Sequence, residues 1–314
     1  MIDSSPDLEP NSTPNSTPNS SPNSPLDTSC YNTPEILALL QPVPNGPDRF
    51  IGQSHYMGSP NVFGGQVLGQ SLYAATQTVQ QRRPHSMHAM FLLAGNHRLP
   101  IEFEVERVRD GGSFSTRRVV AMQEGRRIFV MSVSFQQVEE GLSHFKPMVP
   151  TDDPETLDSS VVKWQQSAGI KRRPFMPVPV DFRAVGAAGM LSSTSRGTDK
   201  QIWMRAPIAL PDDVGLHEAM FAYVSDYGLL WTALQPHGVS LGDPRLQIAS
   251  LDHTIWFHRP FKIDEWLLFC MDSPNASGGR GLTLAHVYDQ QGTLVATVAQ
   301  EGLIRLREEV ADRV

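Results

Sequence analysis

Met220-Phe-Ala-Tyr-Val-Ser-Asp226-Tyr-Gly-Leu-Leu-Trp-Thr-Ala-Leu234 is apolar on nearly every side, the composition of a helix that meets protein all round rather than along one stripe. We read it as the end of a single helix running from Leu216 to Leu234. Such a helix needs other elements wrapped about it, so the flanking sequence decides the fold. Alternating apolar positions predict strands near 201–208 before it and near 246–258, 265–272, 280–289 and 293–306 after it. The turns are marked by Asn275-Ala-Ser-Gly-Gly279 and Gln290-Gln-Gly292.

The same order occurs earlier in the chain. Phe63-Gly64-Gly65-Gln66 leads into a helix predicted over Val67 to Val79, followed by strands near 86–93, 101–109, 113–122 and 127–137. Asp110-Gly111-Gly112 and Glu124-Gly125 supply the turns. A helix followed by several strands, twice over, is an α+β architecture with antiparallel sheets and not an alternating βαβ one. Two sheets, each wrapped around a long central helix, are expected to join edge to edge as two subunits of a dimer would.

The remaining layout follows from composition. Residues 1–33 form a Ser/Pro/Asn/Thr tail, with Asn-Ser-Thr-Pro twice and then Asn-Ser-Ser-Pro, that buries too little apolar surface to order. A short helix is predicted from Thr33, which caps it, with Pro34 at its first position and Ile36, Leu37, Leu39 and Leu40 on its apolar face. The first unit then covers 34–137, a Pro/Ser/Gly-rich linker with partial order 138–200, the second unit 201–308, and a short tail 309–314.

The chain has 314 residues, with 26 Lys and Arg against 33 Asp and Glu, so its net charge of −7 gives no bulk attraction to nucleic acid. No run approaches the ~18–20 apolar residues of a membrane-spanning helix. Two cysteines, Cys30 and Cys270, provide neither a disulfide framework nor a CxxC unit, which fits a reducing, intracellular compartment, cytoplasmic by default. The start of the chain lacks a signal peptide, so the sequons at Asn11, Asn15 and Asn19 are not expected to be glycosylated. The final Ala-Asp-Arg-Val is not a Ser-Lys-Leu-type peroxisomal address.

Several common sites are absent: no GxSxG elbow, no GxxxxGK[ST] loop, no GxGxxG after a strand and no HExxH. Asp226 is the feature that stands out. It interrupts a buried helix, and no basic residue other than His217 and His237 lies between 206 and 244 to pair with it. A carboxylate in such surroundings can have its pKa raised into the range of a general base. In the predicted 246–258 strand, period-2 alternation sets Leu251, Ile255 and Phe257 on one face and Ser250, Asp252 and Thr254 on the other. Gln300 shares a face with Leu294, Ala296, Val298 and Ile304, where a polar amide needs partners. His85 is a weaker candidate at the start of a first-unit strand. The basic clusters Arg82-Arg83, Arg117-Arg118, Arg126-Arg127 and Lys171-Arg172-Arg173 read as solvated faces, one or two of which could hold an anionic ligand's phosphates.

Val62-Phe-Gly-Gly-Gln-Val-Leu-Gly-Gln70, Ser225-Asp226, Leu234-Gln-Pro-His-Gly238, Leu251-Asp-His-Thr-Ile-Trp-Phe-His-Arg-Pro260 and Ala299-Gln-Glu-Gly302 together resemble the type II acyl-CoA thioesterases, similar to bacterial thioesterase II and its peroxisomal eukaryotic relatives. The resemblance runs from about residue 35 to 306. It implies a double hot-dog fold and hydrolysis of acyl-CoA to free acid and CoA without metal or organic cofactor. It also implies a water held by an Asp, a Thr or Ser, and a Gln, which by motif fall on Asp226, Ser250 and Gln300. Ser250 stands where bacterial members commonly have Thr and keeps the hydroxyl. The helix N-terminus at Gly64 and Gly65 is a candidate oxyanion donor. A homo-oligomer, a dimer of double hot-dog chains, is expected.

Three other readings compete. A hot-dog hydratase would need a D-x-N-P-x-H-type stretch, which Gly242-Asp243-Pro244-Arg245 does not supply. A non-catalytic acyl-CoA or acyl-carrier binding protein would keep the fold without the chemistry. A thioesterase that releases a specialised-metabolite acyl group would keep the chemistry with another substrate.

Overall fold

A computed structural model describes residues 32–160, 178–186 and 196–307. The predicted tails, Cys30, the sequons, the Lys171-Arg172-Arg173 cluster and much of the 138–200 linker lie outside the described residues. Its described strands are β1 (Val43–Pro44), β2 (Arg49–Gly52), β3 (Arg83–Phe91), β4 (Ile101–Asp110), β5 (Phe114–Gln123), β6 (Arg126–Gln136), β7 (Asp181–Ala184), β8 (Asp199–Arg205), β9 (Leu246–Ser250), β10 (Asp252–Phe257), β11 (Leu267–Ser277), β12 (Arg280–Asp289) and β13 (Leu294–Leu306). They form one antiparallel sheet in the order β1-β2-β4-β5-β6-β3-β10-β13-β12-β11-β8-β7, with β9 also paired to β13. The two units meet edge to edge through β3 and β10, where Met87 stands opposite Ile255. Joining there removes two exposed strand edges at once. β7, from within the predicted linker, closes the far edge against β8.

The described α-helices are α1 (Thr33–Leu39), α2 (Gly64–Thr76), α3 (Val214–Ser225) and α4 (Leu229–Leu234). In α1, Ile36 and Leu37 are buried as predicted, but Asn32 takes the cap position and Thr33 donates its hydroxyl to the Pro179 carbonyl at 2.6 Å. α2 starts at Gly64, so the two glycines are its first turn and not a loop before it. The predicted 216–234 helix is two helices. Gly228, at φ +89°, takes a left-handed conformation that stops α3 after Ser225 and starts α4 on a new axis. Asp226 therefore sits at a helix end.

α2 and α3 lie antiparallel in the concave side of the sheet. A methyl group on Gly65 would overlap the Tyr223 carbonyl, and one on Gly69 would stand 2.7 Å from the Ala219 carbonyl. Glycines four residues apart thus let two backbones touch along one face. One core runs through both units, from Leu68 and Phe103 to Phe221 and Val298. Arg83 of β3 donates Nε and Nη2 to Oε1 of Glu218 on α3, at 3.1 and 2.9 Å, a second tie between the halves. Burial pushes the Glu218 carboxyl up to about 7 against the lowering effect of Arg83. Among the described residues no helix is long and apolar enough to cross a membrane.

Candidate active site at the seam of the two halves

Asp226 follows the last turn of α3, and the antiparallel packing carries it to the N-terminus of α2. Its Oδ2 accepts the Gly65 backbone N–H at 2.8 Å. The N-cap residue of α2, Phe63, has no side-chain acceptor to offer, so the second half of the chain supplies the anion that this helix end favours. Oδ1 accepts Nε2 of Gln300 at 2.5 Å and faces the Ser250 hydroxyl at 3.5 Å. Gln300 Nε2 also donates to Ser250 Oγ at 3.0 Å. The Asp226 side chain is 5 % exposed, and its desolvation pushes the carboxyl up to about 6, against lowering by Gln300, Gly65 and Ser250. An ionised carboxylate has about four acceptor positions, and three are taken here, so one remains for a water or substrate hydrogen.

Ser250 reaches this cluster because of an irregularity that strict alternation misses. Thr254 pairs with Ala299 and Ser250 with Gly302, so four steps along one strand face three along β13. The extra residue is a bulge around Leu251, held by the Leu251 N–H to the Glu301 carbonyl and the Glu301 N–H to Asp252 Oδ1. Beyond it, His253, Ile255 and Phe257 point inward. Before it, parity is reversed and Ser250 points inward too. The predicted continuous strand with Ser250 facing away from the apolar set is therefore corrected to two strands, β9 and β10. Gln300 lies on the buried face of β13, as read from the sequence.

A cleft of about 470 Å³ opens beside the cluster, within the size range of small-molecule sites. Gly64, Phe91 and Ile128 line it from the first half and Asp226, Leu230 and Ser250 from the second. A side chain at 64 would fill the space over the carboxylate, since a Cβ there stands 2.8 Å from Asp226 Oδ2. A second depression, lined by Pro60, Asn61 and Ala94 to Arg98, shares Asn61, Ala94 and Gly95 with the cleft.

Other sequence candidates fall elsewhere. His85 shares a hydrogen bond with Ser134 Oγ at 2.8 Å, packs edge-on to Phe114 and does not line the cleft. The Gly65 N–H is held by Asp226, and Gly64 lines the cleft. Of the arginine pairs read as solvated faces, Arg117 is 1 % exposed, held by Thr78 and Asp110, and Arg83 is bound to Glu218. Sequence reasoning passed over His253, which is fully buried behind Asp226, although the alternation that sets Leu251, Ile255 and Phe257 on one face puts it there as well.

A continuous antiparallel sheet around two packed helices is the double hot-dog fold. The chain matches the acyl-CoA thioesterase family over residues 181–303 and the acyl-CoA thioesterase N-terminal domain over 53–136, and it belongs to that family. It is 35% identical over 292 residues to acyl-coenzyme A thioesterase 8 of Homo sapiens, covering 88% of this chain and 91% of that protein. It is 36% identical over 265 residues to acyl-CoA thioesterase 2 of Haemophilus influenzae, covering 82% and 93%. An acyl-CoA thioesterase II structure from Mycobacterium marinum superposes with a TM-score of 0.73 at 38% identity, over 87% of this chain and 99% of that one.

The raised Asp226 carboxyl has a measurable consequence. Its folded value of about 6 lies above the ordinary aspartate value of 3.8, so the native state binds the proton more tightly than the unfolded chain does. The cost of ionising it is fully present above about pH 6 and disappears as pH falls toward 4. Asp226→Asn should therefore stabilise the fold at pH 8 by up to about 3 kcal/mol, with Gln300 turning its amide to accept from the new side chain. Urea unfolding of both proteins from pH 4 to 8 checks this; a stability difference that does not shrink toward pH 4 contradicts it.

Proposed function

We propose that the chain is an acyl-CoA thioester hydrolase in which Asp226, Ser250 and Gln300 act on one water at the seam between its halves. The observation that carries this is the buried Asp226 carboxyl, raised toward neutrality and left with one open acceptor position at the wall of an apolar cleft. Asp226 takes a proton from the water as its oxygen attacks the thioester carbonyl carbon. Ser250 and Gln300 orient carboxylate and water. The carbonyl oxygen becomes the oxyanion, placed toward the α2 N-terminus, where the Gly64 amide has no intrahelical acceptor. The C–S bond then breaks, the sulfur leaves with the proton Asp226 received, and the free acid remains. The apolar cleft walls suit an acyl chain.

The depression that continues from the cleft carries Arg98, which is exposed, and His97, whose ring lies 4.9 Å from that of Tyr56. These groups suit the phosphates and base of CoA. The two family matches end at 136 and resume at 181, which supports a linker over 138–180, whereas 181–200 fall within the second match and include β7. The expected homo-oligomer is supported by the outward face of the β3–β10 seam, where Met90 and Trp256 are 59 % and 37 % exposed.

Free-thiol release from acyl-CoAs of graded chain length tests the activity directly. Asp226→Asn should lose about 10²–10⁴-fold in kcat, with CoA-ester binding kept. Ser250→Ala and Gln300→Ala should each lose less, and their losses should not add. A full rate in Asp226→Asn removes the mechanism, and tight acyl-CoA binding without thiol release by the wild-type chain favours the binding-protein reading. Arg98→Glu should raise KM for an acyl-CoA about tenfold while leaving the same acyl N-acetylcysteamine thioester unaffected; equal changes for both substrates rule Arg98 out. Sedimentation equilibrium at micromolar protein should show a dimer or larger assembly, and a single-chain mass there refutes the oligomer.

A further inference from the structure

His253 is 0 % exposed and sits inside the seam, directly behind the carboxylate. Its Nε2 is 2.9 Å from Ser225 Oγ, and its Nδ1 is 3.9 Å from Asp226 Oδ1 with no hydrogen-bond partner in the described structure. We infer that His253 is a positioning residue for Asp226, with a neutral ring that accepts a hydrogen bond from the Ser225 hydroxyl at Nε2 and turns its Nδ1–H toward Oδ1. The role rests on the reading of Asp226 as the base.

Proton bookkeeping selects that tautomer. Ser225 has one hydroxyl hydrogen and two acceptors in reach, the Ala222 carbonyl at 2.9 Å and His253 Nε2. If the hydrogen goes to Ala222, Nε2 must carry the ring proton, and the Nδ1 lone pair then faces the oxygen of a buried anion with nothing between them. If it goes to Nε2, the ring proton lies on Nδ1 and its positive end faces that oxygen. The second arrangement is attractive and the first repulsive, and low polarity around the site magnifies the difference. At 3.9 Å the Nδ1–H is too far for a hydrogen bond, so it favours the ionised carboxylate without using the acceptor position left for water.

The other groups facing Asp226 do not perform this task. Tyr223 and Tyr227 from α3 and its continuation are pushed up by burial and stay neutral. Gly65 from α2, Ser250 from β9 and Gln300 from β13 are neutral donors already engaged. Among the described residues no Lys or Arg is ion-paired to Asp226. Burial pulls His253 itself down to about 3, so it stays uncharged wherever the enzyme works and acts as a fixed dipole.

The test uses two side chains that each reproduce half of the imidazole. Asn reaches as far as Nδ1 and can keep a donor toward Asp226, whereas Gln reaches as far as Nε2 and keeps only the Ser225 contact. In His253→Gln the acid limb of the kcat/KM profile should move up by about one pH unit, and in His253→Asn it should stay within a few tenths of wild type. Loss of rate in both variants with an unmoved acid limb, or an equal shift in both, overturns the inference in favour of packing alone. Should neither variant fold, nitrogen-15 NMR of histidine-labelled wild type reads the tautomer: a protonated Nδ1 at pH 8 is expected, and a protonated Nε2 overturns the proposal. A wild-type rate in Asp226→Asn would instead remove the base assignment, and this role with it.

Discussion

The antiparallel contact between α2 and α3 is the constraint on which the site depends. Gly65 and Gly69 let the α2 backbone lie against the Tyr223 and Ala219 carbonyls, and any larger residue would push the two helices apart. At that separation the end of α3 falls beside the start of α2, and the Gly65 N–H meets the Asp226 carboxylate. One contact thereby supplies an acceptor to a helix terminus that has no capping side chain of its own and a donor to a buried charge. Neither half could make the arrangement alone.

Burial and hydrogen bonding act on Asp226 in opposite directions, and their balance sets its chemistry. Full desolvation without partners would leave a neutral acid. Partners that outweighed the desolvation would leave a weak base with a low pKa. The cluster uses neutral donors, a backbone amide, a primary amide and a hydroxyl, so the carboxyl is held near 6 and stays ionised at neutral pH while still able to take a proton. Glu218, at the other tie between the halves, faces the partly exposed Arg83, whose lowering effect does not outweigh burial, so its carboxyl stands at about 7, and it has no opening to the cleft.

Much of the architecture was legible because it follows from local pattern. The strand sets, the duplication and the edge-to-edge joining come from alternation, turn glycines and repeated order, and the strands fall within a few residues of their predicted bounds. The short strands β1, β2 and β7 were missed because two to four residues carry too little alternation to read, and two further errors occur where a single residue changes the geometry. Gly228 reads as a tolerated glycine in an apolar run, yet its left-handed conformation ends a helix and frees Asp226. The extra residue near Leu251 reads as part of a regular strand, yet it reverses parity and brings Ser250 inward beside Gln300.

The sequence by itself determined the α+β double unit and the family resemblance, and it singled out Asp226, Ser250 and Gln300 as candidates, because periodicity, composition and motif are carried by neighbouring residues. Only the tertiary structure decided that these three side chains meet, that the Gly65 N–H is a partner of Asp226 while Gly64 lines the cleft, and that His253 stands behind the carboxylate. Those facts depend on residues 24 to 161 positions apart being held within a few ångströms. Helix packing and strand register fix such distances, and no local pattern records them.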